Sequence, residues 1–74
     1  MVGLDEAESA FKDEQKIVRY DWKHSAEELR YFCIAESSRN RILFVAFTIR
    51  DGKIRIISAR KANKKEEHAY QTQA

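Results

Sequence analysis

Eight residues of this chain are suited to phosphate chemistry without a metal: His24, Glu28, Arg30, Arg55, Arg60, Lys61, His68 and Tyr70. Cleaving RNA through its own 2′-hydroxyl takes three contributions. A base removes the 2′-OH proton, an acid protonates the leaving 5′-oxygen, and fixed positive charge stabilises the phosphorane. Histidine titrates near neutrality and serves as either acid or base. Arginine stays charged and binds phosphate oxygens bidentately. Other chemistries find less support. With only Gly3 and Gly52 there is no glycine-rich phosphate loop, and no His-x-x-x-His or Cys-x-x-Cys pair offers metal ligands. Two histidines without a nucleophile elbow do not make a Ser/His/Asp enzyme. No cofactor is expected.

Each of these residues also has a plainer role open to it. His24 lies in the polar turn Trp22-Lys23-His24-Ser25, where a histidine can simply cap the next element. Arg30 can pair with Glu28. Arg55 points opposite to its neighbours Ile54 and Ile56, and an arginine inside a strand is more often paired or solvated than catalytic. Lys64, Lys65, Glu66 and Glu67 read as a solvated helix face. Tyr70 suits a docking anchor, and Trp22 could stack on a base or cover a sheet edge.

The elements that must position these groups follow from the pattern of apolar residues. Leu4 to Lys12 puts Leu4, Ala7, Ala10 and Phe11 on one helical stripe, with Asp5 and Glu6 in the first turn, where acid favours the helix dipole. Lys16 to Tyr20 reads as a strand. Glu28 to Ala35 alternates, with Leu29, Tyr31, Cys33 and Ala35 on one face and Arg30, Phe32 and Ile34 on the other. Arg41 to Ile49 is apolar at nearly every position, which predicts a strand covered on both faces. Asp51-Gly52 is a hairpin signal, and Lys53 to Ala59 is the returning strand. A last helix opens at Ala62 or Asn63, with Asn63 as N-cap. Its apolar stripe of Ala62, Ala69 and Tyr70 is thin. The predicted fold is α+β: a short helix, three or four antiparallel strands and a C-terminal helix.

At 74 residues the chain is a single domain with a small core, and it has no staples. Cys33 is the one cysteine, so no internal disulfide forms, and a lone thiol fits a reducing compartment. The longest apolar run, Ile42 to Phe47, is far short of the ~20 residues that span a bilayer. A soluble, cytoplasmic protein without membrane contact is expected, stabilised by a partner or by self-association. The net charge of +2 hides an asymmetry. Residues 1–36 carry five Lys/Arg against nine Asp/Glu, and residues 37–74 carry nine against three. A basic half suits a phosphate backbone or an acidic protein, although uneven surface charge alone would look the same.

Three motifs carry a family resemblance. They are Asp21-x-x-His24-Ser25-x-x-Glu28-x-Arg30-Tyr31, the strand Ile42-Leu43-Phe44-Val45-x-Phe47-Thr48, and the run Ile54-Arg55-Ile56-Ile57-Ser58-Ala59-Arg60-Lys61-Ala62 that continues to Glu66–Tyr70. Together with the opening Leu4-Asp5-Glu6-Ala7, Phe11 and Asp13, the pattern resembles the BrnT family. That resemblance implies a type II toxin, a ribonuclease of RelE-like α+β fold that inhibits translation. It implies neutralisation by a small ribbon-helix-helix antitoxin of the BrnA kind, through which alone the toxin would meet DNA. The catalytic candidates are then His24, Glu28, Arg55, Arg60 and Tyr70, and the RNA-binding candidates Arg30, Lys61, Lys64 and Lys65. Family members usually begin with a strand bearing a Trp-Asp pair and a helix closing on Lys-His-Gly. This chain starts where that segment would have just ended. The expectation is a shortened domain with weakened catalysis and an uncovered sheet edge. A non-catalytic module that binds an antitoxin or self-associates through that edge is the alternative, and a general nucleic-acid-binding domain is a third.

Overall fold

A computed structural model describes residues 2–24 and 28–73, with the backbone alone for His24. Helix α1 (Leu4–Ala10) is followed by β1 (Ile17–Tyr20), a 3-10 turn (Trp22–His24), β2 (Tyr31–Glu36), β3 (Ile42–Arg50), β4 (Lys53–Lys61) and α2 (Lys64–Gln71). The four strands form an antiparallel meander in the order β1-β2-β3-β4, so β1 and β4 are its edges. This is the α+β arrangement that the residue pattern predicts.

The core lies between α1 and one face of the sheet. Ala7 and Ala10 are small enough to let the helix sit close over Cys33, Ala35, Leu43, Val45 and Phe47. Phe11 meets Phe47 edge-on at 5.0 Å, and Tyr31 stacks on the same ring at 5.6 Å. Burial pushes the Cys33 thiol up to about 11, so it is an inert core group. The predicted helical stripe is right at Ala7, Ala10 and Phe11 and wrong at Leu4, which is 62% exposed.

Glu6 takes the buried place instead. It accepts from Arg41 Nε at 2.7 Å, from Arg41 Nη2 at 2.5 Å and from Ser37 Oγ at 2.7 Å. Ser9 Oγ meanwhile accepts from the Ser38 N–H at 2.9 Å. These bonds fasten α1 to the β2–β3 turn, where Asn40 adopts φ 60°, a conformation that asparagine tolerates better than most residues. The Arg41 and Ser37 hydrogen bonds hold the Glu6 carboxyl down at about 2, from an ordinary 4.5. A carboxyl depressed on folding contributes stability that is complete above about pH 4.5 and is lost as pH falls towards 2. Urea unfolding between pH 2 and 5 should show that loss, and Glu6→Gln should flatten it while lowering stability at neutral pH.

Two features of β3 and β4 depart from the sequence pattern. First, β3 is fully covered on one face and only partly on the other, where Thr48 is buried. Leu43, Val45 and Phe47 are buried against α1, while Phe44 and Ala46 on the other side are half-buried. The reason is that α2 reaches only one end of that second face, where Ile17 and Ile34 are cross-strand partners and buried. Second, β4 runs two residues further than Ala59, so Arg60 and Lys61 lie within the strand. Asp51 and Gly52 turn the hairpin with φ 53° and 74°, the positive pair that a tight two-residue turn requires.

Candidate nucleic-acid interface

The second face of the sheet holds the chemistry, and a β-bulge assembles it. Ala46 pairs with Ser58 and the next residue, Phe47, pairs with Ile56, so Ile57 is an extra residue in β4. Arg55 and Arg60 are five apart in sequence, which in a regular strand would send them to opposite faces. The extra residue restores them to one. Arg55 stands opposite Thr48 and Arg60 opposite Phe44, four residues apart on β3 and hence about 13 Å from each other along the strand. The same bulge lets Ile56 and Ala59 both pack on the core, which explains why it is there.

Beside Arg60 lies a stack that sequence reasoning missed. Phe32 and Phe44 are parallel at 5.0 Å, and the Arg60 guanidinium sits 4.3 Å above the Phe44 ring. Arg19, the cross-strand partner of Phe32, adds a third cation on the β1 side. The signal was present in the alternation of β2 and β3, where each phenylalanine falls opposite the α1 face. Its meaning depended on knowing that α2 leaves this face half open. An arginine over an aromatic ring gains a cation–π attraction and is held in place by it.

Arg60 is also fixed from the other side. It donates through both terminal nitrogens to Glu66, at 2.8 and 2.9 Å. Glu66 in turn closes a capping box with Asn63, whose side chain receives the Glu66 N–H at 2.8 Å. The Arg60 hydrogen bonds lower the Glu66 carboxyl below its ordinary range. Arg60 is therefore both a cation on the open face and the link that starts α2.

The remaining candidates separate into distinct places. Glu28 accepts from Arg50, beside the Asp51-Gly52 hairpin and near Arg55, while Thr48 Oγ1 donates to the Leu29 carbonyl at 2.5 Å. Arg30 leads into β2, and its carbonyl accepts from the Asp21 N–H at 2.8 Å. The 3-10 turn brings the backbone of His24 to this same end, but its side chain lies outside the described residues. Lys61 pairs with Leu43, whose side chain is in the core, so it projects on the α1 side, away from Arg60. Lys64 and Lys65 are exposed in the first turn of α2. Trp22 is 72% exposed with the Lys23 ammonium over its ring, and covers no edge.

Tyr70 anchors α2. Its hydroxyl donates to Asp13 Oδ2, which also accepts the Glu36 N–H at 2.8 Å. Burial and the Asp13 carboxylate push the phenol up to about 12, from 10.0. A phenol raised on folding contributes stability that is complete below about pH 10 and is lost as pH rises through 12. Tyr70→Phe should remove that alkaline loss and cost about 1 kcal/mol at neutral pH, the usual net worth of one hydrogen bond. Faster amide exchange in α2, with β2 and β3 unchanged, is the measurement that checks it.

Fold and face together define a small α+β domain with an arginine- and phenylalanine-bearing open sheet. The family model described as the ribonuclease toxin, BrnT, of type II toxin–antitoxin systems matches residues 1–66 of the 74, and the chain belongs to that family. No curated protein matches it. Membership in a toxin–antitoxin family implies an antitoxin partner. Among the described residues no helix is long and apolar enough to cross a membrane.

Proposed function

We propose that the open sheet face binds single-stranded RNA and that the chain cleaves it there without a metal, by attack of the 2′-hydroxyl on the adjacent phosphate. The observation that carries this reading is the placing of Arg55 and Arg60 on one face, with the Phe32–Phe44 stack alongside, in a member of a ribonuclease-toxin family. Arg55 and Arg60 hold phosphates at separate points along the bound strand, and the one that meets the scissile phosphate stabilises the phosphorane. The phenylalanines add apolar contact for an unpaired base at their accessible edges, because Phe44 is already stacked against Phe32 and covered by Arg60. His24 and Glu28, at the hairpin end near Arg55, are the proton-transfer groups. Arg30 and Lys61, Lys64 and Lys65 extend the electrostatic field, and Tyr70 serves the site by holding α2. The antitoxin is of the ribbon-helix-helix, BrnA-like kind, and DNA is met only through it.

The test is cleavage of a labelled single-stranded RNA by the purified chain. Products should end in a 2′,3′-cyclic phosphate and form equally well with a chelator present. Cleavage that stops with chelator and returns with magnesium would overturn the mechanism. Binding should weaken with salt at a slope of about −2 in log K against log concentration, as three phosphate contacts by Arg19, Arg55 and Arg60 would give.

A second reading is favoured by the two open edges and by the exposed Val18, Tyr20, Ile54 and Ile57 along them. In it the chain is an interaction module that binds its partner, or itself, without cutting RNA. Light scattering at micromolar concentration would then give a mass above 8.7 kDa.

A further inference from the structure

We infer that the free edge of β4 is a docking site for an extended segment of another polypeptide, one that alternates apolar and acidic residues and adds as a fifth strand. β4 is nine residues long and, among the described residues, pairs only with β3, so its outer row of N–H and C=O groups has no partner strand there. Its side chains say which strand fits. Lys53, Arg55, Arg60 and Lys61 are basic, and no Asp or Glu occurs from 53 to 61. A groove between α1 and this edge is lined by Leu4, Glu8, Phe11, Ile54, Arg55 and Ile56. Leu4 is 62% exposed there and Ile54 is 50% exposed. An added strand would set alternate residues on that groove and on the arginine-bearing face. Apolar side chains would cover Leu4 and Ile54, and acids would meet Lys53 and Arg55. A second copy fits badly, because two β4 edges side by side bring four cations against four. Cations and a bulge are what guards an edge against self-pairing. The same guard is complementary to an acidic strand. This inference does not depend on RNA cleavage.

The test uses the whole chain and synthetic peptides. One peptide alternates Val and Glu over eight residues. A second has Lys in place of Glu, and a third has the same composition as the first in block order. The alternating acidic peptide should bind and should slow amide exchange along β4 but not along β1. Arg55→Glu should weaken it roughly tenfold, and should bind the Lys peptide better than the original chain does. Lys53→Glu should act in the same sense, and covers the case in which Arg55→Glu fails to fold. Ile54→Asp should weaken binding by closing the groove to apolar side chains. Equal binding of the block-order peptide, protection of β1 instead of β4, or binding of single-stranded RNA but of no peptide would each overturn the proposal. So would a stable dimer whose β4 amides are protected without any peptide.

Discussion

An Arg60→Ala variant is expected to cleave RNA roughly 10²–10³-fold more slowly than the original chain, since losing one charged contact to the transition state costs ~2–4 kcal/mol. Arg60 is held above Phe44 and by Glu66, so its guanidinium is positioned before any phosphate arrives. Arg60→Lys should recover little, because a point charge reproduces neither the bidentate fork nor the flat contact with the ring. The structural part of the loss can be separated. The Arg60–Glu66 pair is an exposed one at its arginine end, and such pairs are worth about 0–1 kcal/mol. Glu66→Gln removes the ion pair, weakens the capping box and leaves the guanidinium in place. If the proposed role is right, Glu66→Gln lowers helix content in α2 and retains most of the cleavage, whereas Arg60→Ala loses the cleavage. Equal losses from both variants would make Arg60 a structural partner only.

Leu43→Ala is expected to remove a large share of the domain's stability. Leu43 has no exposed surface and sits in the cluster that α1 covers. Truncating a buried leucine to alanine costs about 2–5 kcal/mol, the spread reflecting how far the site can collapse. A chain of this length is stable by only about 4–11 kcal/mol, at 0.05–0.15 kcal/mol per residue. Collapse around Leu43 is limited, because its neighbours Ala7, Ala10 and Ala35 are already small and cannot swing into the gap. Urea unfolding should show a midpoint reduced by a third or more with the slope unchanged. A change below 1 kcal/mol would mean that the α1-to-sheet packing contributes less than its burial implies.

What could be read from the sequence is whatever the chain settles within a few residues. Asp51-Gly52 announces its turn because few other pairs accept two positive φ values. Asn63 announces the last helix because its side chain caps a backbone N–H three residues away. The two strands flanking that turn follow from their own alternation. Long-range pairings were not readable. Glu6 is buried only because Arg41, 35 residues on, reaches it. Viewed locally, an acid in a first helical turn looks like a surface residue. The α1 face therefore includes Glu6 and omits Leu4. The placement of the site residues was hidden for a related reason. Counting by twos along β4 separates Arg55 from Arg60, and nothing local signals that Ile57 is extra. Lys61 was grouped with Arg60 by adjacency, which in a strand is the one relation that puts two side chains on opposite faces.

Ile57 therefore sets the parity of β4. Upstream of it, even-numbered residues face the helix. Downstream, odd-numbered ones do. Removing or adding one residue anywhere between Arg55 and Arg60 would exchange the two sets beyond that point, exposing Ala59 and driving Arg60 towards the core. Point substitutions in this strand change one side chain, but a single-residue insertion or deletion inverts half of it. In related chains the length between these two arginines should accordingly vary far less than the identity of the residues that fill it.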